Sequence, residues 1–362
     1  MPRSMLSLLP GLSPMCGCHA VAPAGDGQPA PRRAGVPVID THAHWYPDEW
    51  MRMIERNGER HGGARITREG REVRFAAGTL KIDWSLDFVD LDMRLARMDA
   101  TGVDVQALSL TTPMVYFAPP DFALALSQAY NDAASAAHQK HPDRFLGMAM
   151  VPMHAPDLAV REIERASKLP GIRGLYMATH VNGLNLDERQ FFPVYAACEK
   201  AGWPIFLHPM GPIGGPRTSR YYLANLCGNP YETGIAAASL IFGGVMDEFP
   251  RLQVMLPHAG GTFPALVGRW DHGTRVRPEL THMKQPPSAY LRRFAYDTIA
   301  HNDEILMNLV RMVGADRVVM GSDYCFDMGP EQPVEVVERL GGLAQADRDL
   351  ILGTNAARML GL

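Results

Sequence analysis

From residue 91 to the end of the chain, short apolar runs alternate with amphipathic ones, and the hydrophobic period switches between extended and helical at each change. Residues 103–110, 145–151, 172–178, 205–208, 253–258, 294–300 and 318–323 read as strands, and 38–41 adds one more. Helical spacing is read over 91–100, 121–140 with Asp121 as N-cap, 157–168, 187–201, 232–248, 262–272, 303–312, 331–340 and 345–360. Eight strands, each followed by a helix, imply an α/β fold, a (β/α)8 TIM barrel with its site at the C-terminal ends of the strands. With 362 residues, 46% of them hydrophobic and 20% charged, the chain fills one large core rather than two domains.

Four of those strands end in residues that bind metals. The first runs into His42 and His44, whose side chains point to the same side roughly 6–7 Å apart by strand rise. A lone His-x-His is as readily a solvated pair. Three further apolar runs, however, end in His208, His258 and Asp323, which lays out a catalytic metal constellation along the whole chain. Imidazoles and a carboxylate without thiolate suit Zn2+ ahead of Fe2+, Co2+ or Mn2+, and an open position would hold a water whose pKa zinc lowers to about 7.

Residues 45–90 interrupt the barrel rhythm. They contain a short helix over 48–56, a break at Gly58, Gly62 and Gly63, and an alternating run over 66–75 centred on the turn pair Glu69-Gly70. An insertion directly after the first strand is expected to hang over the histidines as a lid. Residues 1–35, rich in Pro, Gly and Ala, read as a disordered arm or an over-long start, with the barrel occupying 36–362. A net charge of −4 without a Lys/Arg run argues against nucleic acid, and no apolar run approaches the roughly 18 residues of a membrane span. Five scattered cysteines point to a reducing cytoplasm, and Cys16-Gly-Cys18 has no second pair.

The layout resembles the amidohydrolase superfamily, and within it the decarboxylase branch, above all the 2-amino-3-carboxymuconate-6-semialdehyde decarboxylases. The shared stretches are 97–109 (RMDATGVDVQALS), 179–182 (THVN), 192–197 (FPVYAA), 243–245 (GGV), 258–269 (HAGGTFPALVGR) and 321–324 (GSDY), in order across the barrel. The resemblance implies His42, His44, His208 and Asp323 as metal ligands, with His258 as the base that activates metal-bound water and Asp323 holding or shuttling protons. The fourth strand region, 172–180, has no lysine to bridge a second ion, so one divalent metal is expected, Zn2+ foremost. Arg74 and Arg269 match substrate-binding arginines, Arg269 reaching a neighbouring subunit's site, which implies a homodimer and a small carboxylate substrate. His180, at the mouth, is read equally as a structural or a substrate-contacting residue.

Met210, Tyr221-Tyr222-Leu223-Ala224 and Cys325 depart from the branch's pattern at pocket positions, so a hydroxylated or amino-substituted aromatic acid is as fitting as a muconate semialdehyde. A hydrolase or hydratase of a lactone, amide or enol acid would use the same ligands and base, and a catalytically dead scaffold would not keep all of them. Asp297 is read as a partner for a ligand histidine. His61, His138, His141, His154, His272, His282 and His301 are read mostly as solvated surface.

Overall fold

A computed structural model describes residues 15–17, 35–78 and 80–362. Most of the predicted arm lies outside the described residues; Met15–Gly17 pairs in parallel with Leu80–Ser85. Eight parallel strands form one sheet in sequence order: β1 Ile39–His44, β2 Val105–Ser109, β3 Phe145–Ala149, β4 Ile172–Ala178, β5 Ile205–His208, β6 Val254–Leu256, β7 Phe294–Asp297 and β8 Val318–Val319. The ring closes where Thr41 N–H donates to the Met320 carbonyl (3.0 Å) and Asp323 N–H to the His42 carbonyl (2.7 Å). This is the expected TIM barrel.

Both faces of the strands are covered, which is why they read as near-continuous apolar runs. β6 and β8 are shorter than their apolar runs because the backbone leaves the ladder and turns left-handed at His258 (φ 53°) and Asp323 (φ 52°). Among the helices, Pro120–Lys140 is capped by Pro119 with Pro120 in its first turn, so Asp121 is not the N-cap but lends its charge to the positive end of the helix. The helix expected over 232–248 breaks into Asn229–Phe242 and Val245–Glu248 at Gly244, whose φ of 76° no helix accommodates. No helix among the described residues is long and apolar enough to cross a membrane.

The insertion holds the helix Asp48–Asn57 and an antiparallel sheet of Ala64–Glu69, Glu72–Ala77 and Leu80–Ser85. The hairpin is the one expected, turning at Gly70 (φ 62°); the third strand is additional. One face of this sheet (Ile66, Val73, Phe75, Ile82 and Trp84) is buried. Trp84 stacks on Tyr46 at 4.4 Å, and Phe75 meets Phe117 edge-on at 5.0 Å. Gly58 is right-handed helical, and a Cβ there would sit 2.4 Å from the Ala64 carbonyl oxygen, so its glycine serves close approach rather than a hinge. Any lid motion of the sheet has to unpack Trp84. We expect Trp84→Ala to cost about 3–5 kcal/mol of stability, read as a lower urea midpoint with the ligand cluster left in place.

Candidate active site

At the C-terminal end of the barrel, one ligating atom from each of His42, His44, His208 and Asp323 lies within 4.8 Å of the others, and all four residues are buried. Each imidazole is held from behind. His42 Nδ1–H donates to Asp297 Oδ2 (2.7 Å), and His208 Nδ1–H donates to the Pro209 carbonyl and meets Thr111 Oγ1, both at 2.9 Å. Ser109 Oγ donates its own proton to the Ala43 carbonyl (2.9 Å) and so accepts from His44 Nδ1 (3.0 Å). These acceptors place all three protons on Nδ1 and turn the three Nε2 lone pairs inward. His42 Nε2 is buried without a hydrogen bond, 3.3 Å from Asp323 Oδ1, and His44 Nε2 is 2.9 Å from the same oxygen. Three imidazole nitrogens and a carboxylate oxygen converging in a buried site fit one divalent cation, which would satisfy the orphaned nitrogen.

Beneath the ligands, Asp40 accepts from the N–H groups of His42 (3.1 Å) and Ser322 (3.0 Å) and from Gln106 Nε2 (2.7 Å), which ties β1 to the chain after β8. Gln106 Oε1 in turn accepts from the fully buried Arg94 (2.6 Å). The Arg94 guanidinium also donates to the His44 carbonyl and lies over the Tyr324 ring, 4.8 Å from its centroid.

Burial lowers His44 to about 4 and takes His208 well below the usual imidazole range, so both are neutral and ready to coordinate. Burial also opposes charge on His42, but the Asp323 carboxylate, with Asp297 behind, outweighs it and raises the imidazole to about 10. In the metal-free protein His42 therefore holds a second proton, at Nε2 toward Asp323, that an incoming ion has to expel to free the lone pair. Metal affinity is expected to rise with pH until about 10 and to fall by up to about tenfold per unit below it, since one proton competes. Calorimetry of metal binding in two buffers of different ionisation enthalpy should report about one proton released.

The amidohydrolase family model matches residues 39–362. The chain belongs to the amidohydrolase family. It is 34% identical over 342 residues to the 2-amino-3-carboxymuconate-6-semialdehyde decarboxylase of Dictyostelium discoideum, covering 90% of this chain and 91% of that one. Among solved structures it is similar to the 5-carboxyvanillate decarboxylase of Sphingomonas paucimobilis (TM-score 0.77, 26% identity, 91% of this chain and 100% of that one). A second 5-carboxyvanillate decarboxylase, from Novosphingobium aromaticivorans, was solved with manganese and a nitrobenzoic acid (TM-score 0.73, 26% identity, 91% and 97% covered).

In this amidohydrolase His258 stands beside the ligand set rather than in it. Its Nε2 is 3.8 Å from Asp323 Oδ2, its ring centroid 5.4 Å from that of His42, and its Nδ1 has no hydrogen bond. His258 and Asp323 open onto a cleft of about 730 Å3, walled by Pro264, Leu309 and Met312 and edged by Asn225 and His301. The described residues lining it include none from 45–90 and no arginine or lysine.

Arg74 and Arg269 do not join the cluster within one chain. Arg74 lies on the solvent face of the inserted sheet, its Nε donating to Asp83 Oδ1 (3.0 Å), and Arg269 is exposed on the helix Phe263–Val276. His180 bridges two loops, accepting at Nδ1 from Gly183 N–H (3.1 Å) and facing the Gly211 carbonyl at 3.4 Å. Asp297 does partner a ligand, as expected. Ser109 and Thr111 were not singled out in the sequence, although their i, i+2 spacing at the end of a strand places both hydroxyls on the ligands' side. His301 is exposed, as expected, and also lines the cleft; His138 and His154 are only partly exposed and face the Phe145 and Ala118 carbonyls, at 2.7 and 3.0 Å.

Proposed function

We propose that this amidohydrolase is a metal-dependent, non-oxidative decarboxylase of a small aromatic or muconate-type carboxylic acid. The observation that carries the reading is a complete ligand set with an adjoining base, in a chain that matches a decarboxylase over 90% of its length. His42, His44, His208 and Asp323 would hold a divalent ion, which would supply a Lewis acid to polarise a substrate oxygen and acidify water. His258 Nε2, 3.8 Å from Asp323 Oδ2 on the cleft side, would act as the base that takes a proton from the acidified water. When the bond to the carboxylate breaks, carbon dioxide leaves, the electron pair stays on the ring or chain carbon, and that proton goes to the same carbon. In the metal-free protein the charge of His42 holds Asp323 well below the usual carboxylate range despite its burial, so Asp323 offers an ionised oxygen to the ion.

The donor set supports zinc as the resident ion; the relative solved with manganese makes that ion the competitor, and metal analysis of the purified protein decides between them. With no cationic side chain among the described residues lining the cleft, a guanidinium for a second substrate carboxylate has to come from elsewhere. A homodimer in which Arg269 enters the neighbour's cleft would provide it, with Arg74 as the second candidate and His180 at the mouth. The free thiols Cys198 and Cys325, both buried, are in keeping with a cytoplasmic enzyme.

The test is carbon dioxide release by the metal-reconstituted protein over muconate semialdehydes, hydroxybenzoates and aminobenzoates. Release from one of them supports the reading. Silence across all three, with hydrolysis of a lactone panel by the same preparation, would replace it with a hydrolase.

A further inference from the structure

Asp297 touches more than a ligand. Its side chain is fully buried at the end of β7 and accepts four hydrogen bonds: at Oδ2 from His42 Nδ1 (2.7 Å) and His258 N–H (2.9 Å), and at Oδ1 from Ala259 N–H (2.8 Å) and Ile299 N–H (3.1 Å). The chain from His258 to Gly261 is left-handed at four consecutive residues, with φ of 53°, 53°, 81° and 57°. Two of these, His258 and Ala259, carry side chains that disfavour this region, so the segment needs an external hold. Successive N–H groups in such a turn make a concave site for an anion, and here the anion is the Asp297 carboxylate.

We propose that Asp297 is a positioning residue that locks the base His258 to the metal ligand His42 through one carboxylate. The inference rests on the reading of His258 as the base. The His258 ring has no hydrogen bond at Nδ1 to orient it, so its backbone sets where Nε2 stands relative to Asp323. That backbone is gripped by the same oxygen that holds His42. One carboxylate thus fixes the distance between ligand and base, and all four of its partners are donors in this arrangement. Asparagine has the same shape, but its amide would set two N–H bonds against donors and release one side of the grip.

The decisive experiment compares wild type with Asp297→Asn in two measurements. Metal affinity is read by chelator competition, and kcat and KM for carbon dioxide release are read after each protein has been reloaded to one ion per chain. Affinity is expected to fall by about 10–100-fold, as for other residues that orient metal ligands. In the fully reloaded variant kcat should remain about 100-fold or more below wild type, with KM within about twofold, because misplacement of the base by about 1 Å is not repaired by the ion. Adding Ala259→Gly, which adopts the left-handed turn without strain, should recover part of kcat in the Asn variant and none of the affinity. Should Asp297→Asn fail to fold, Asp297→Glu keeps the charge but moves it by a methylene, and the same pair of losses is expected. A reloaded variant with wild-type kcat overturns the inference, as does one that loses kcat while its affinity is unchanged. A wild type that releases no carbon dioxide from any acid, its metal bound, overturns instead the functional reading, and with it the role of His258 as the base.

Discussion

His258→Ala is expected to lower kcat for carbon dioxide release by about 10²–10⁴-fold while leaving one ion per chain. The split follows from position. His258 Nε2 is 3.8 Å from Asp323 Oδ2 and is not one of the four converging ligands, so removing the ring deletes a proton carrier and no coordinating atom. Asp323→Ala differs, because Asp323 lies within hydrogen-bonding reach of His44 and 3.3 Å from His42 Nε2; it should lose ion and activity together. Metal analysis alongside kinetics on both variants separates the two roles. A His258→Ala enzyme that kept its kcat would falsify the assignment of the base and direct attention to His301 on the cleft edge.

Arg94→Met is expected to cost about 2–6 kcal/mol of stability, since it leaves two buried acceptors without their donor at about 1–3 kcal/mol each. Methionine fills a similar volume, so the loss reflects hydrogen bonds rather than a cavity. Without the guanidinium the His44 carbonyl and Gln106 Oε1 lose their donor, and Gln106 is the link to Asp40. A carbonyl that moves takes its own imidazole with it. The variant should therefore show a lowered melting temperature and weaker metal binding in the same preparation. Arg94→Lys should rescue little, because a single ammonium cannot span Gln106 and the His44 carbonyl while lying over the Tyr324 ring.

Much of this architecture is written in the order of residues. β4 and β5 coincide with the strands read in the sequence, since burial on both faces keeps them apolar apart from Arg173 and the terminal His208. The ligands could be found because each of His42, His44, His208 and Asp323 lies at or near the C-terminal end of an apolar run, although the ladder itself stops at Val319 before Asp323. What escaped was what depends on neighbours from other strands. Ser109 and Thr111 are ordinary hydroxyls until β1 pairs with β2 and the end of β5 meets the end of β2 across the barrel. The strand Leu80–Ser85 carries an alternation, with Leu80, Ile82 and Trp84 set against Lys81 and Asp83, but its six residues lie beyond the hairpin and show their pairing only once Glu72–Ala77 is laid beside them. Arg74 was reached through resemblance alone, and its place on the outer face of the inserted sheet follows from the same alternation, since Val73 and Phe75 on either side of it point inward.

The metal site draws on both ends of the chain. His44 and Asp323 are 279 residues apart, and they meet only because the backbone after β8 bonds to β1 and shuts the ring. During synthesis, three of the four ligands are made by residue 208, yet the Asp323 carboxylate joins them only when the final strand emerges and docks. Loops of that length close slowly, so the pocket for the ion is assembled among the last events of folding. Uptake of the metal would then serve as a clock for ring closure, and a ribosome-bound chain that stops short of residue 323 should bind the ion no better than its scattered histidines allow.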